Sequence, residues 1–198
     1  MRIYIDFDGT LFDSDKFLED LFKIIDRYGI SRDIFKECQN QCKNEGFNPN
    51  IILDLVKKKM IFDDGIYLEI NQLMNNSSYY LYRDSKEFLE YLNVLKYQVI
   101  ILTKGNFKYQ KEKIFNSQLN SCYNKIVVTL KHKGNLNLDY KNCVFIDDNP
   151  KEIQSIIKRE PKLVIRVQRD GSKYSNKILE NEVLTVKSLM EIINKKLL

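Results

Sequence analysis

The chain has 198 residues, 43% of them hydrophobic, with 32 basic and 27 acidic side chains and a net charge of +5. That length holds one full core plus an accessory subdomain, and no apolar run reaches the length of a membrane span. The small, diffuse positive excess argues against specific nucleic-acid binding and mildly favours anionic small molecules.

The opening stretch, Arg2-Ile3-Tyr4-Ile5-Asp6-Phe7-Asp8-Gly9-Thr10, reads as a short apolar strand ending in two carboxylates. Side chains alternate along a strand, so positions 6 and 8 share a side if the extended backbone lasts that far. Two carboxylates so close repel, which calls for a cation or a bound proton. An Asp-Gly turn capped by its own side chains is the ordinary alternative. A strand this close to the first residue leaves no secretory signal to be expected in this stretch. Cys38, Cys42, Cys122 and Cys143 lack scaffold-like spacing. They read as buried thiols in a reducing, cytoplasmic setting.

Ser14 is the expected N-cap of a helix with Phe17, Leu18, Leu21, Phe22, Ile25 and Tyr28 at helical spacing, closed by Gly29. Ser31, Asn48-Pro49 and Asp63 or Asp64 mark the starts of three more helices. Nothing between 14 and 78 alternates as a strand, and Asn75-Asn76-Ser77-Ser78 is a polar break. The expected organisation is therefore an α/β core from 1–13 and 79–198, with an all-helical cap at 14–78 inserted after the first strand. Asp84-Ser85-Lys86-Glu87 has the form of a capping box. Strands are expected at Val99–Leu102, Ile126–Thr129, Val144–Ile146, Leu163–Val167 and Val183–Val186, with helices between them and a last one near Ser188–Lys195. This alternation predicts a Rossmann-like parallel sheet flanked by helices.

In such sheets the ligand crevice lies outside the carboxyl ends of the strands. Asp6 and Asp8 end the first strand, Thr103 ends the second, and Asp147 and Asp148 end a later one. Lys131 and Lys133 lie between them in sequence. Carboxylates, a hydroxyl and a lysine at one sheet edge suit magnesium and phosphate.

Four places resemble the motifs of the haloacid dehalogenase superfamily of phosphohydrolases. They are Asp6-Phe7-Asp8-Gly9-Thr10, Ile101-Leu102-Thr103-Lys104-Gly105, a lysine of the 131–133 segment, and Val144-Phe145-Ile146-Asp147-Asp148-Asn149-Pro150. The resemblance covers the whole layout, and the helical insertion resembles the family's small cap. It implies that Asp6 attacks phosphorus to form an aspartyl-phosphate, and that Asp8 protonates the leaving oxygen and then activates water. Magnesium is expected on Asp6, on Asp148 and on the backbone carbonyl of Asp8. Asp147 shares the metal, binds its waters or orients Lys133. Thr103 and Lys104 are expected at the phosphate, with Lys133 as the charge-neutralising lysine and Lys131 as its alternative. Glu152 either steadies that lysine or is an ordinary acid of a first helical turn. His132 has no required role. The expected function is a magnesium-dependent phosphatase of a small phosphorylated metabolite, such as a sugar phosphate or nucleotide. The alternatives are a phosphotransferase or mutase using the same residues, or a non-catalytic phosphate- or partner-binding protein.

Overall fold

A computed structural model of the protein describes residues 1–179 and 182–198. Its strands are β1 (Arg2–Ile5), β2 (Gln98–Lys104), β3 (Lys125–Thr129), β4 (Cys143–Asp147), β5 (Leu163–Val167) and β6 (Leu184–Val186). Its helices are α1 (Ser14–Arg27), α2 (Arg32–Gln41), α3 (Pro49–Val56), α4 (Gly65–Asn75), α5 (Ser85–Val94), α6 (Phe107–Asn116), α7 (Pro150–Ile157) and α8 (Leu189–Asn194). The strands form one sheet in the order β3-β2-β1-β4-β5-β6, and every neighbouring pair is parallel. This is the Rossmann-like arrangement that the alternation predicts.

Strand alternation divides the core between the two faces of the sheet. Ile3, Ile5, Val99, Ile101, Val144 and Ile146 pack with α5, α6, α8 and the helices that follow β1. Tyr4, Ile100, Leu102 and Phe145 pack with Ile153 and Ile156 of α7. The strands therefore carry unbroken apolar runs, as strands covered on both faces do. On the second face Tyr4, Phe145 and Tyr140 stack with ring centroids 4.9 and 5.3 Å apart. Strand order reverses at β1. The chain steps outward from β1 through β2 to β3, then returns to β4 on the other side of β1. A crevice opens at such a reversal, at the carboxyl ends of β1 and β4.

Between β1 and α5 the chain is helical, with α1 to α4 and two short 3-10 turns at Lys43–Glu45 and Ser77–Tyr80. Its entry and exit run side by side. Phe12 and Leu81 form an antiparallel bridge, the Asp13 N–H donates to the Tyr80 carbonyl at 2.7 Å, and the Tyr82 N–H donates to the Leu11 carbonyl at 3.0 Å. The rings of Phe12, Phe17 and Tyr80 meet at 5.1–5.8 Å across this root, each pair contributing about 1 kcal/mol beyond its burial.

Two caps differ from expectation. Asp13, not Ser14, caps α1, accepting from the Lys16 N–H at 3.0 Å. Asp84 makes no capping hydrogen bond to α5. Its carboxylate is taken by both terminal nitrogens of Arg169 at 2.8 Å and by the Leu189 N–H at 2.8 Å. A buried guanidinium needs a carboxylate more than a helix end needs a cap, because a buried unpaired charge is the costlier defect. All four thiols are buried and unpaired.

Candidate active site

Asp6 follows the last residue of β1. Its N–H donates to the Ile146 carbonyl at 2.9 Å, so the ladder with β4 continues one residue further. That holds Asp6 against the end of β4, where Asp147 and Asp148 lie. The three buried carboxylates each offer an oxygen within 4.8 Å of the others. Lys133 reaches in from a 3-10 turn after β3. Its Nζ donates to Asp6 Oδ1 and to Asp147 Oδ2, each at 2.6 Å. Lys131 is exposed, and of the two lysines Lys133 is the one at the acids.

One ammonium does not balance three buried acids. Burial pushes the Asp6 carboxyl up to about 7, with Lys133 opposing and Asp147 adding to the rise. Burial, then Asp6 and Asp147, push Asp148 well above the ordinary carboxylate value. Asp147 is also raised by burial, against the pull of Lys133. Burial opposes the Lys133 ammonium, but Asp147 and Asp6 outweigh it and raise its pKa. The surplus of negative charge and the all-oxygen donor set fit a hard divalent cation. Gly9 keeps the space open. It sits at φ +80°, and a Cβ there would lie 2.1 Å from Asp148 Oδ2.

Asp8 lies outside that acidic group and has its own partners. Ser14 Oγ donates to Asp8 Oδ1 at 2.7 Å, Gln110 Nε2 donates to Oδ2 at 2.7 Å, and the buried Lys113 ammonium donates to Oδ1. Burial alone would raise the Asp8 carboxyl, but the Lys113 charge and these hydrogen bonds outweigh it and hold the group below its ordinary value. Lys113 also lies over the rings of Phe7, Phe12 and Tyr109, at 5.0–5.5 Å. Neither Gln110 nor Lys113 is singled out by the sequence motifs. Their only signal is position: they fall on the buried stripe of α6 with Tyr109 and Ile114.

Thr103 ends the apolar part of β2. It is fully buried, and its Oγ1 has no hydrogen-bond partner among the described residues. Thr103, Asp6, Asp8, Lys133 and Asp148 line one cavity of about 160 Å³. Lys104 reaches the same cavity, but its Nζ donates to Glu152 Oε1 at 3.0 Å. Glu152 is buried in the first turn of α7 and also accepts from the Lys133 backbone N–H at 2.8 Å. Burial works to raise Glu152, but the Lys133 N–H and the Lys104 ammonium hold it below its ordinary value. Glu152 thus anchors the backbone of the turn that carries Lys133, not the ammonium itself. His132 is half exposed, with Nδ1 2.8 Å from Glu152 Oε1. Lys173 and Tyr174, after β5, also border the cavity. Burial and the nearby acids push the Tyr174 phenol up to about 12. No sequence signal marks either residue.

The model of the family described as haloacid dehalogenase-like hydrolase matches residues 3–160. The chain belongs to that family. No curated protein sequence matches it. Among solved structures, this haloacid dehalogenase-like hydrolase is similar to a putative haloacid dehalogenase-like hydrolase from Burkholderia xenovorans. The two share 18% identity at a TM-score of 0.76, over 99% of this chain and 97% of that one. A HAD phosphatase from Thermococcus onnurineus superposes at a TM-score of 0.68 with 16% identity, over 99% and 97% of the chains. The L-2-haloacid dehalogenase of Xanthobacter autotrophicus, carrying covalently bound chloropropionic acid, does so at 0.64 with 14% identity, over 98% of each. At these identities the likeness is one of fold. Among the described residues of this hydrolase, no helix is long and apolar enough to cross a membrane.

Proposed function

We propose that this hydrolase is a magnesium-dependent phosphatase acting on a small phosphate monoester through an aspartyl-phosphate on Asp6. The observation that carries the reading is the separation of two carboxylates. Asp6 lies among the acids and Lys133, while Asp8 borders the same cavity but is held by Lys113, Ser14 and Gln110. One group attacks and the other moves protons, and a single carboxylate cannot do both. Asp8 is the second acid that the phosphohydrolase motif has and the dehalogenase motif lacks.

In this reading Asp6 attacks phosphorus and the ester P–O bond breaks. The departing oxygen takes its proton from Asp8. The charge of an approaching phosphate opposes the pull of Lys113 and raises the protonated fraction of Asp8. Water then attacks phosphorus, giving a proton to Asp8, and the bond to the Asp6 oxygen breaks, which frees Asp6 and inorganic phosphate. Lys133 offsets charge on the phosphoryl oxygens, and the Thr103 hydroxyl donates to one of them. Asp6, Asp148 and the Asp8 carbonyl would hold magnesium, which when bound supplies charge compensation between nucleophile and phosphate, while Asp147 would share the metal, bind its waters or orient Lys133. The helices of 14–78 would act as a cap whose closure excludes water.

The test is a panel of phosphate monoesters with and without magnesium, reading release of inorganic phosphate. Metal-dependent release is expected. Phosphate passed to a second sugar hydroxyl instead of water would mark a phosphotransferase. Halide release from 2-haloacids with no phosphate release would overturn the reading.

A further inference from the structure

Phe17, Leu18 and Phe22 of α1, Phe47 and Tyr109 of α6 line a second cavity of about 430 Å³. It adjoins the acidic one: Asp8, Ser14, Leu18 and Lys104 line both. We infer that this second cavity receives the alcohol half of the phosphate ester and selects an alcohol that carries an aromatic ring.

The inference rests on the phosphatase reading, in which Asp8 serves the leaving oxygen. Because Asp8 borders both spaces, the substituent on that oxygen extends from the acidic cavity into the aromatic one. Its size suits a ring system, since a dry apolar cavity of about 150 Å³ already admits benzene. Its walls suit one too. The Phe47 and Tyr109 rings meet edge to face at 5.6 Å, the geometry in which a third ring finds both faces and edges to pack on. Leu18, Phe22 and Phe47 are only partly buried and so have surface left to cover.

Most of the polar lining is already engaged, Gln110 Oε1 and the Gln39 amide being left without a partner among the described residues. Gln110 and Lys113 hold Asp8, and Lys104 holds Glu152. A sugar entering here would give up water from several hydroxyls for few partners, whereas an aromatic group loses none. The roof of the cavity comes from the helical insertion. Gly46, beside Phe47, sits at φ +77°, and a Cβ there would lie 2.4 Å from the Asn106 backbone nitrogen. The Asn106 side chain donates to the Glu45 carbonyl at 2.9 Å. Phe47 is thereby held against the start of α6.

The test compares 2-phenylethyl phosphate with glycerol 3-phosphate and glucose 6-phosphate on the full chain with magnesium. All three are primary alkyl esters, so differences in leaving-group reactivity are small. The expected kcat/KM for the phenyl ester is roughly tenfold or more above both others. Phe47→Ala and Leu18→Asn, with melting curves to establish folding, are each expected to reduce that preference severalfold through KM. Equal or reversed preference overturns the inference and leaves the phosphatase reading standing, as do folded variants that keep the wild-type ratio. If Phe47→Ala fails to fold, the partly exposed Leu18 position decides alone. If no ester, p-nitrophenyl phosphate included, releases phosphate, the phosphatase reading falls and takes this inference with it.

Discussion

The ammonium of Lys113 on α6 lies against the carboxylate of Asp8, in a pair whose side chains are 4% and 27% exposed. Asp8 is the proposed proton carrier, so Lys113 sets how readily it holds a proton. Lys113→Met keeps the volume and removes the charge. Stability is expected to fall by about 1–3 kcal/mol, because Asp8 loses a charged partner. The Asp8 carboxyl rises when the ammonium leaves. In kcat against pH, the acid limb that reports Asp8 as a base therefore moves to higher pH. An unmoved acid limb in a folded variant would separate Lys113 from the proton carrier.

Asp6→Asn keeps the shape of the proposed nucleophile and lowers its nucleophilicity. Turnover is expected to fall by roughly 10⁴-fold or more while the fold persists. Lys133 retains Asp147 as a partner, so the melting temperature should change little. Near-normal turnover in purified variant protein would sink the covalent mechanism.

The raised carboxyls predict an unusual stability profile for protein treated with EDTA. Asp6, Asp147 and Asp148 all have folded values above their ordinary ones, with Asp6 at about 7. A group raised by folding stabilises fully below its unfolded value, and that contribution is lost as pH rises through the folded value. The metal-free protein should therefore lose stability between about pH 4 and pH 7. Added magnesium should raise the melting temperature more at pH 7.5 than at pH 5.5, since only the ionised acids bind it. An equal magnesium shift at both pH values would remove these acids from the metal site.

Gly46 tests the cap. Its positive φ and the 2.4 Å approach of a built Cβ to the Asn106 nitrogen mean that Gly46→Ala must push the 43–48 segment away from α6. KM is expected to rise several-fold, with the melting temperature lowered only modestly because Phe47 is only partly buried where it packs against the core. An unchanged KM in a folded variant whose Phe47 no longer lies against Tyr109 would show the contact to be dispensable.

The sheet and the acids were legible in the sequence for one reason. Buried parallel strands read as apolar runs, and chemistry collects at their ends, so Asp6, Thr103 and Asp147-Asp148 fell at the ends of Ile3–Ile5, Val99–Leu102 and Val144–Ile146. What stayed hidden depended on partners far away in the chain. Gln110 and Lys113 belong to no motif, and what they do shows only once the Asp8 carboxylate is placed against them. Asp84 reads as a cap until Arg169, 85 positions on, claims it. Asp13 and Ser14 are both good capping types, and the Ser14 hydroxyl is diverted to Asp8.

β1 has a consequence for synthesis on the ribosome. It is four residues long, and its partners are Gln98–Ile101 and Cys143–Ile146. When it emerges, neither exists, so it waits unpaired while the helices after it form from local contacts. Joining such distant segments is slow, because the closure entropy of a long loop precedes any reward. Asp6 and Asp148 meet only once β4 has docked, so no nascent chain that stops short of β4 can assemble the acidic site.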